Sequence, residues 1–336
     1  METTTIQTEF DDDDVLVFEP LASAIFFAIF AFISASSVTG NFLVMTAFKN
    51  DKSLRRPANM LLVSLAVTDF FTGLIAIPAY TVTRTIVSDF TCYGKTRYLL
   101  FFPGMVCGVS SVTHLSIIAV DRYIAVSRPL RYPRIVTKQR CIAVLIVGAV
   151  FSIAACSWPS FSMGQSDDWF CGEQKKTEVV SAFVLGLCFI IVLYFGVMIF
   201  CHIHMIRTAI KHVRLRRTLS KSSKTERTEQ EDAKSRLRAT VTVGIIMGAF
   251  AICWTPIIFK FLFQSFAHYS SKTFLIVQVA CEIPFYANSM VNPIIYGYRN
   301  EHFRHGYKRA LHSCCPCLFS KPIEPRRFSR VSSGMV

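Results

Sequence analysis

Apolar residues arrive in seven long runs separated by short polar stretches, at approximately residues 21–48, 57–84, 95–127, 138–160, 177–212, 232–264 and 271–297. Each run reaches the roughly 20 residues that a helix needs to cross a hydrocarbon layer. Lipid offers no water to backbone amides and carbonyls, so each run is predicted to be helical. Several exceed the minimum, which predicts tilt or extension beyond the lipid. The expected fold class is an all-α membrane protein, a seven-transmembrane helix bundle over 21–297. Beyond it, Phe303, Tyr307 and Leu311 recur at i, i+4 and i+8 among basic residues. That spacing predicts an amphipathic eighth helix over 298–313 lying on the inner leaflet.

Charge decides the orientation. Lys49, Lys52, Arg55 and Arg56 fall between runs one and two, and Arg128, Arg131, Arg134 and Lys138 between runs three and four. Arg214, Arg216, Arg217, Lys221, Lys224 and Arg227 fall between runs five and six. The alternate loops are poorer in base and include Asp167, Asp168 and Glu173. Basic loops stay in the cytosol, so the N-terminus is predicted outside. Residues 1–20 carry seven acids and no Lys or Arg, unlike the basic start of a cleaved signal peptide, and read as a disordered external tail. Residues 314–336 form a cytosolic tail whose Arg326, Arg327 and Arg330 precede serines that a kinase could modify. No Asn-x-Ser/Thr sequon occurs.

Composition narrows the function classes. The 336-residue chain is 52% hydrophobic and 17% charged, with a mean hydropathy of +0.42, too apolar for an ordinary soluble domain. Its net charge of +14 is spread over loops between apolar runs, so membrane topology explains it better than nucleic acid does. Twelve cysteines show no metal-ligand spacing. His114, His202 and His204 lack carboxylates at ligand spacing, which argues against a membrane enzyme. No internal repeat supports a transporter.

Run three ends in Asp121-Arg122-Tyr123, with Pro129-Leu130 in the following loop, and run seven carries Asn292-Pro293-Ile294-Ile295-Tyr296. In this the chain resembles the rhodopsin-like (class A) family of G-protein-coupled receptors, which has Asp-Arg-Tyr, a Pro-Leu pair and Asn-Pro-x-x-Tyr at these places. Phe250-Ala251-Ile252-Cys253-Trp254-Thr255-Pro256 resembles the family's Phe-x-x-Cys-Trp-x-Pro. The pattern is similar to amine, adenosine and melanocortin receptors about equally. The resemblance implies a plasma-membrane receptor that transduces an extracellular ligand to a heterotrimeric G protein, with arrestin and receptor kinases as further partners. A constitutively active or decoy receptor is the alternative.

The resemblance also implies residue roles. Asp121, Arg122, Tyr123, Leu130, Asn292, Pro293 and Tyr296 would form the coupling switch, and Phe250, Trp254 and Pro256 the activation core. Asp69, Ser111 and Asn288, with Asn41 and Ser289 as polar neighbours, would surround an allosteric sodium ion; a water-filled network is the other reading. No further metal or cofactor is implied. Cys314, Cys315 and Cys317, just past the eighth helix, are acylation candidates. Cys92 and Cys171 fall in external stretches, where a disulfide between them suits an oxidising compartment. Relatives carry that third-helix Cys where this chain has Arg97, so Cys92 pairs from a shifted place or the bridge is absent. Run four has Ala149 for the usual Trp, and run five has Val192 and Phe200 for the usual Pro and Tyr. Melanocortin receptors also lack the run-five Pro and the third-helix Cys. Arg236 stands where some relatives hold the switch Arg with an acid, which would raise basal signalling.

A ligand pocket by resemblance would be lined by Phe101, Met105, Trp254, Phe259, Glu282 and Tyr286. Amine receptors have an Asp where this chain has Gly104, so a monoamine loses its usual counter-ion. Opsins have a Schiff-base Lys where this chain has Tyr286, which excludes retinal linkage. Glu282 is the pocket's acid. It would serve a cationic or peptide ligand, or else an internal bridge to Lys260 or Arg84.

Overall fold

The computed structural model describes residues 20–51, 54–85, 94–162, 174–219, 241–260, 271–299 and 301–314. The long helices are α1 (Pro20–Asn50), α2 (Pro57–Phe71), α3 (Ile77–Thr85), α4 (Gly94–Ser127), α6 (Lys138–Ser162), α7 (Gln174–Leu219), α8 (Val241–Lys260) and α9 (Ser271–Arg299). A short α5 (Tyr132–Ile135) lies between α4 and α6, and α10 (Glu301–Cys314) follows α9. Among the described residues there is no strand.

Six spans, with α2 and α3 together as one, are long and apolar enough to cross a membrane. The seventh, α9, is less apolar because it buries Gln278, Glu282, Asn288, Ser289 and Asn292. The bundle is turned inside out relative to a soluble protein. Ile252, Val147, Phe32 and Phe189 point outward, whereas Asn41, Asp69, Ser111 and Asn292 lie in the interior. Lipid accepts the former at no cost, and the latter need one another. The most enclosed span is α4, packed against α2, α3, α6 and α7.

The second span departs from a plain helix. Thr72–Ala76 forms a π-helical turn between α2 and α3, one turn ahead of Pro78. Proline has no N–H to donate, and a widened turn absorbs the lost bond. At the same level Gly73 lets α1 approach closely. A Cβ there would lie 2.9 Å from the Ser34 carbonyl oxygen and from Ser37 Cβ, and Ser34 Oγ donates to the Gly73 carbonyl at 2.7 Å.

The eighth helix exists, and Phe303 and Tyr307 of its expected apolar face pack inward. Phe303, Gly306 and Ala310 are buried, whereas Leu311 is 40% exposed. The covering surface is protein: α10 packs on α1, with Gly306 against Ala47 and Leu54. Arg309 pairs with Asp51, and Tyr307 donates to the Pro293 carbonyl at 3.2 Å. Burial holds the Tyr307 phenol well above its ordinary pKa, so it stays a donor. Lipid contact alone would have favoured Leu311; docking on α1 selects the small and aromatic side.

Candidate functional site

Three levels of the bundle carry the residues singled out from the sequence. At the inner end, Arg122 Nε lies 3.3 Å from Asp121 Oδ2, and Tyr132 donates its hydroxyl to Asp121 Oδ1 at 2.8 Å. Burial, and then the neighbouring Asp121 carboxylate, raise the Tyr132 phenol well above its ordinary pKa. It therefore remains protonated and donating. This tether leaves no mark in the sequence, because Tyr132 is uncharged and lies between apolar runs, where the short α5 folds it back. Tyr123 packs edge-on against His204 (ring centroids 5.4 Å apart) and near Phe200 of α7 (6.3 Å). Leu130 is 94% exposed.

At the middle level Asn292 Nδ2 donates to Asp69 Oδ2 at 2.7 Å, joining α9 to α2. Asn41 Nδ2 donates to the carbonyls of Ser37 and Ser289, both at 2.9 Å, joining α1 to α9. Among the described residues, Asp69 Oδ1, Asn41 Oδ1 and Ser111 Oγ are buried without a hydrogen-bond partner. Buried polar atoms are normally satisfied, so a group of orphaned oxygens has the chemistry of a hard-cation or water site. Asn288 is buried at the same level of α9. Pro293 lies against Gly40, where a Cβ would come within 3.0 Å of the proline ring. Tyr296 is buried against Phe303.

The upper level is a continuous series of rings. Phe195 of α7 meets Phe250 at 5.7 Å, and Phe250 stacks on Trp254 at 5.1 Å. Trp254 meets Phe285 at 4.9 Å, and Phe285 meets Tyr286 at 5.0 Å. Tyr286 meets Tyr80 of α3 at 5.0 Å, and Tyr80 meets Phe101 of α4 at 6.0 Å. Each such pair is worth about 0.5–1.5 kcal/mol beyond its burial. Movement at the outer rings therefore reaches Phe250 through contact alone. Pro256, two residues past Trp254, lacks the N–H that would stiffen this part of α8.

Glycines on α4 make room for the rings. A Cβ at Gly104 would lie 2.9 Å from the Tyr286 hydroxyl, and one at Gly108 would lie 3.1 Å from Phe285 Cζ and 3.3 Å from Trp254 Cη2. Glu282 sits beside this cluster in a full set of partners. Lys260 Nζ lies 2.9 Å from its Oε1, Gln278 Nε2 donates to the same oxygen at 3.2 Å, and the Tyr80 hydroxyl donates to Oε2. Of the two roles the sequence left open for Glu282, the internal bridge to Lys260 is present; the Arg84 side chain lies outside the described residues. Met105 and Phe101 are half-buried.

Among the residues expected to line the pocket, Phe259 is the most exposed. It is 55% exposed and belongs to neither buried cluster, because five residues past Trp254 the helix has turned it toward the outside. Tyr80, Phe285 and Gln278 were missed. Tyr80 and Phe285 each follow a proline by one or two positions, and the aromatic pattern around those prolines was the available sign. Cys92, Cys171, Cys315, Cys317 and Arg236 lie outside the described residues, as does the side chain of Cys314.

Comparison with known proteins agrees with this arrangement. The profile of the family described as "7 transmembrane receptor (rhodopsin family)" matches residues 40–296. The chain belongs to that family. Trace amine-associated receptor 7a of Mus musculus is 30% identical over 307 residues, covering 87% of this chain and 83% of its own length. Adenosine receptor A2b of Homo sapiens is 30% identical over 311 residues, covering 86% and 90% respectively. A GQ-coupled rhodopsin of Mizuhopecten yessoensis is 29% identical over 316 residues, covering 87% and 60%. The chain is thus a multi-pass membrane receptor of a family that signals through G proteins, and not an enzyme. Asp121 and Arg122 lie near one end of α4, and the aromatic series reaches α4 at Phe101, near its other end.

Proposed function

We propose that the receptor sits in the plasma membrane with its N-terminus outside and answers a small extracellular ligand that carries no lone ammonium group. Binding among Phe101, Met105, Glu282 and Tyr286 shifts the aromatic series onto Phe250 and Trp254. The inner end then opens at Asp121, Arg122, Tyr123, Leu130, Asn292, Pro293 and Tyr296 for a heterotrimeric G protein. The observation that carries the ligand assignment is Tyr286, whose hydroxyl lies over Gly104, with Glu282 bound to Lys260. Where amine receptors present a free carboxylate, this receptor presents a phenol. An ammonium ion moved there from water would lose its hydration with no counter-ion to replace it. The ligand must favour the active state, since equal affinity for both states shifts nothing.

The test is nucleotide exchange on purified G proteins by membranes from expressing cells, with adenosine, phenethylamine, lipids and peptides offered in turn. The expected result is exchange stimulated by an uncharged compound and none by phenethylamine. Exchange no greater than that of membranes without the receptor, for every class of G protein, would refute the coupling. Stimulation by phenethylamine would refute the ligand assignment.

Sodium is the proposed allosteric ion of the middle level. Asp69 would supply the charge, and Ser111 and Asn288 neutral oxygens, a hard donor set that suits a hard cation. Bound there, the ion would hold α2, α4 and α9 together and favour the resting state. Replacing choline by sodium at constant ionic strength is expected to raise the melting temperature of the purified receptor by a few degrees. Asp69→Asn is expected to abolish the difference.

A further inference from the structure

The Lys260–Glu282 pair is the most completely buried ion pair among the described residues, with side chains 6% and 7% exposed. Two features set it apart from a plain structural bridge. The carboxylate has donors besides its ion-pair partner, because Tyr80 and Gln278 hydrogen-bond to it in addition to Lys260. The partners also come from three spans: Tyr80 from α3, Lys260 from α8, Gln278 and Glu282 from α9. Around them stand the rings of Tyr80, Phe101, Phe285 and Tyr286.

We propose that Lys260 is the residue that decides ligand specificity in this pocket: its ammonium group fills the cation place on Glu282, and without it Glu282, Tyr80 and Gln278 bind a small aromatic amine. This rests on the reading that the outer pocket receives the ligand. Lys260 is in effect a tethered amine, a primary ammonium on a four-carbon stem delivered by the receptor itself. A free amine of similar size meets a carboxylate already neutralised and an ammonium that repels it. It would also have to leave the displaced Lys260 charge in a buried place, which costs more than the new contact returns.

Removing the ammonium reverses each of these conditions. Glu282 then keeps Tyr80 and Gln278 as donors, which hold its carboxylate in place. The vacated position is the size of an ammonium group and lies on the carboxylate that the Tyr80 hydroxyl also contacts. A phenyl group joined to the ammonium by two carbons can pack on Tyr286 while its charge meets Glu282. A subsite for an aromatic monoamine is therefore present in the wild-type fold and occupied by Lys260. The side over Gly104 has no part in it, since the Tyr286 hydroxyl fills that place.

The test uses the full-length receptor in detergent with phenethylamine as probe, reading both the melting temperature and G-protein nucleotide exchange. Lys260→Met is expected to bind phenethylamine at least about tenfold more tightly than wild type, and Lys260→Met/Glu282→Gln to lose the gain. Lys260→Ala repeats the measurement should the longer side chain block the opened space. A melting shift with phenethylamine that is the same in wild type and both single variants overturns the assignment of Lys260. So does a gain that survives Glu282→Gln. A gain in binding, with exchange no greater than that of receptor-free membranes for every ligand and G protein in wild type and variants alike, leaves the subsite standing and overturns the coupling reading instead. The two failures are distinguishable, because one is read from melting and the other from exchange.

Discussion

Gly73→Leu is expected to keep the receptor from reaching the cell surface and to destabilise the purified protein by about 3 kcal/mol or more, as overpacking of a tight interface does. Even the first added carbon would stand 2.9 Å from the Ser34 carbonyl oxygen and from Ser37 Cβ, and 3.0 Å from Val38 Cγ2. Backbone cannot rotate away as a flexible side-chain tip can, so α1 must move off the second span. The Ser34 Oγ bond to the Gly73 carbonyl is lost with it. The control is Gly186→Leu on α7, where no atom lies within 4 Å of the added Cβ. Leucine there meets lipid and favours the helix, so expression is expected at the wild-type level. Surface labelling of a tagged receptor, together with melting of the purified protein, checks both. Equal loss in the two variants would mean that tight α1 packing is not the cause.

Asp121→Asn is expected to raise basal nucleotide exchange about five- to a hundredfold, the range that corresponds to a coupling of 1–3 kcal/mol. Asp121 is buried to 4% while Arg122 is 20% exposed, so the pair is shielded from salt more than a surface bridge would be. Asparagine keeps the shape and can still accept the Tyr132 hydroxyl, yet it removes the charge that holds the guanidinium. Arg122 is then free to turn toward a G protein. Tyr132→Phe leaves the ion pair and removes only the 2.8 Å bond to Asp121 Oδ1, so its rise should be smaller. Exchange measured without ligand in matched membranes ranks the variants. A basal rate in Asp121→Asn no higher than wild type would end the view that this pair restrains the resting state.

The two substitutions probe different kinds of information. Gly73 sits in the middle of an apolar run, and nothing in the run itself shows that the residue meets α1 at the π-helical turn. Asp121 and Arg122 were recognisable from the charged pair, its spacing to Pro129-Leu130 and the second motif at Asn292-Pro293-Ile294-Ile295-Tyr296. What was missing there was Tyr132, eleven residues on, which reaches Asp121 because a short helical turn folds it back.

Glu282 shows the same division within one site. An acid in an apolar run must be functional or paired, and the sequence placed it one turn from Tyr286. Lys260 was one of two possible partners, twenty-two residues away, and only the crossing of α8 and α9 chose it. Tyr80 and Gln278 complete the set from positions that carry no charge, so the charge pattern marks neither. Gly104 was legible as a missing acid, but that a phenol from α9 fills its place follows from helix packing.

Hydrophobic run lengths, the basic loops and two ordered motifs sufficed to determine a seven-helix receptor, because the bilayer makes any long apolar run helical and family motifs sit at set places along those runs. Tertiary structure alone decided which polar groups meet inside: Asn292 with Asp69, Lys260 with Glu282, Tyr132 with Asp121. It also turned Phe259 outward and set the inner face of α10 against α1. The reason is physical. Transfer to lipid depends on each segment by itself, whereas a buried hydrogen bond or ion pair depends on how helices distant in sequence rotate and cross.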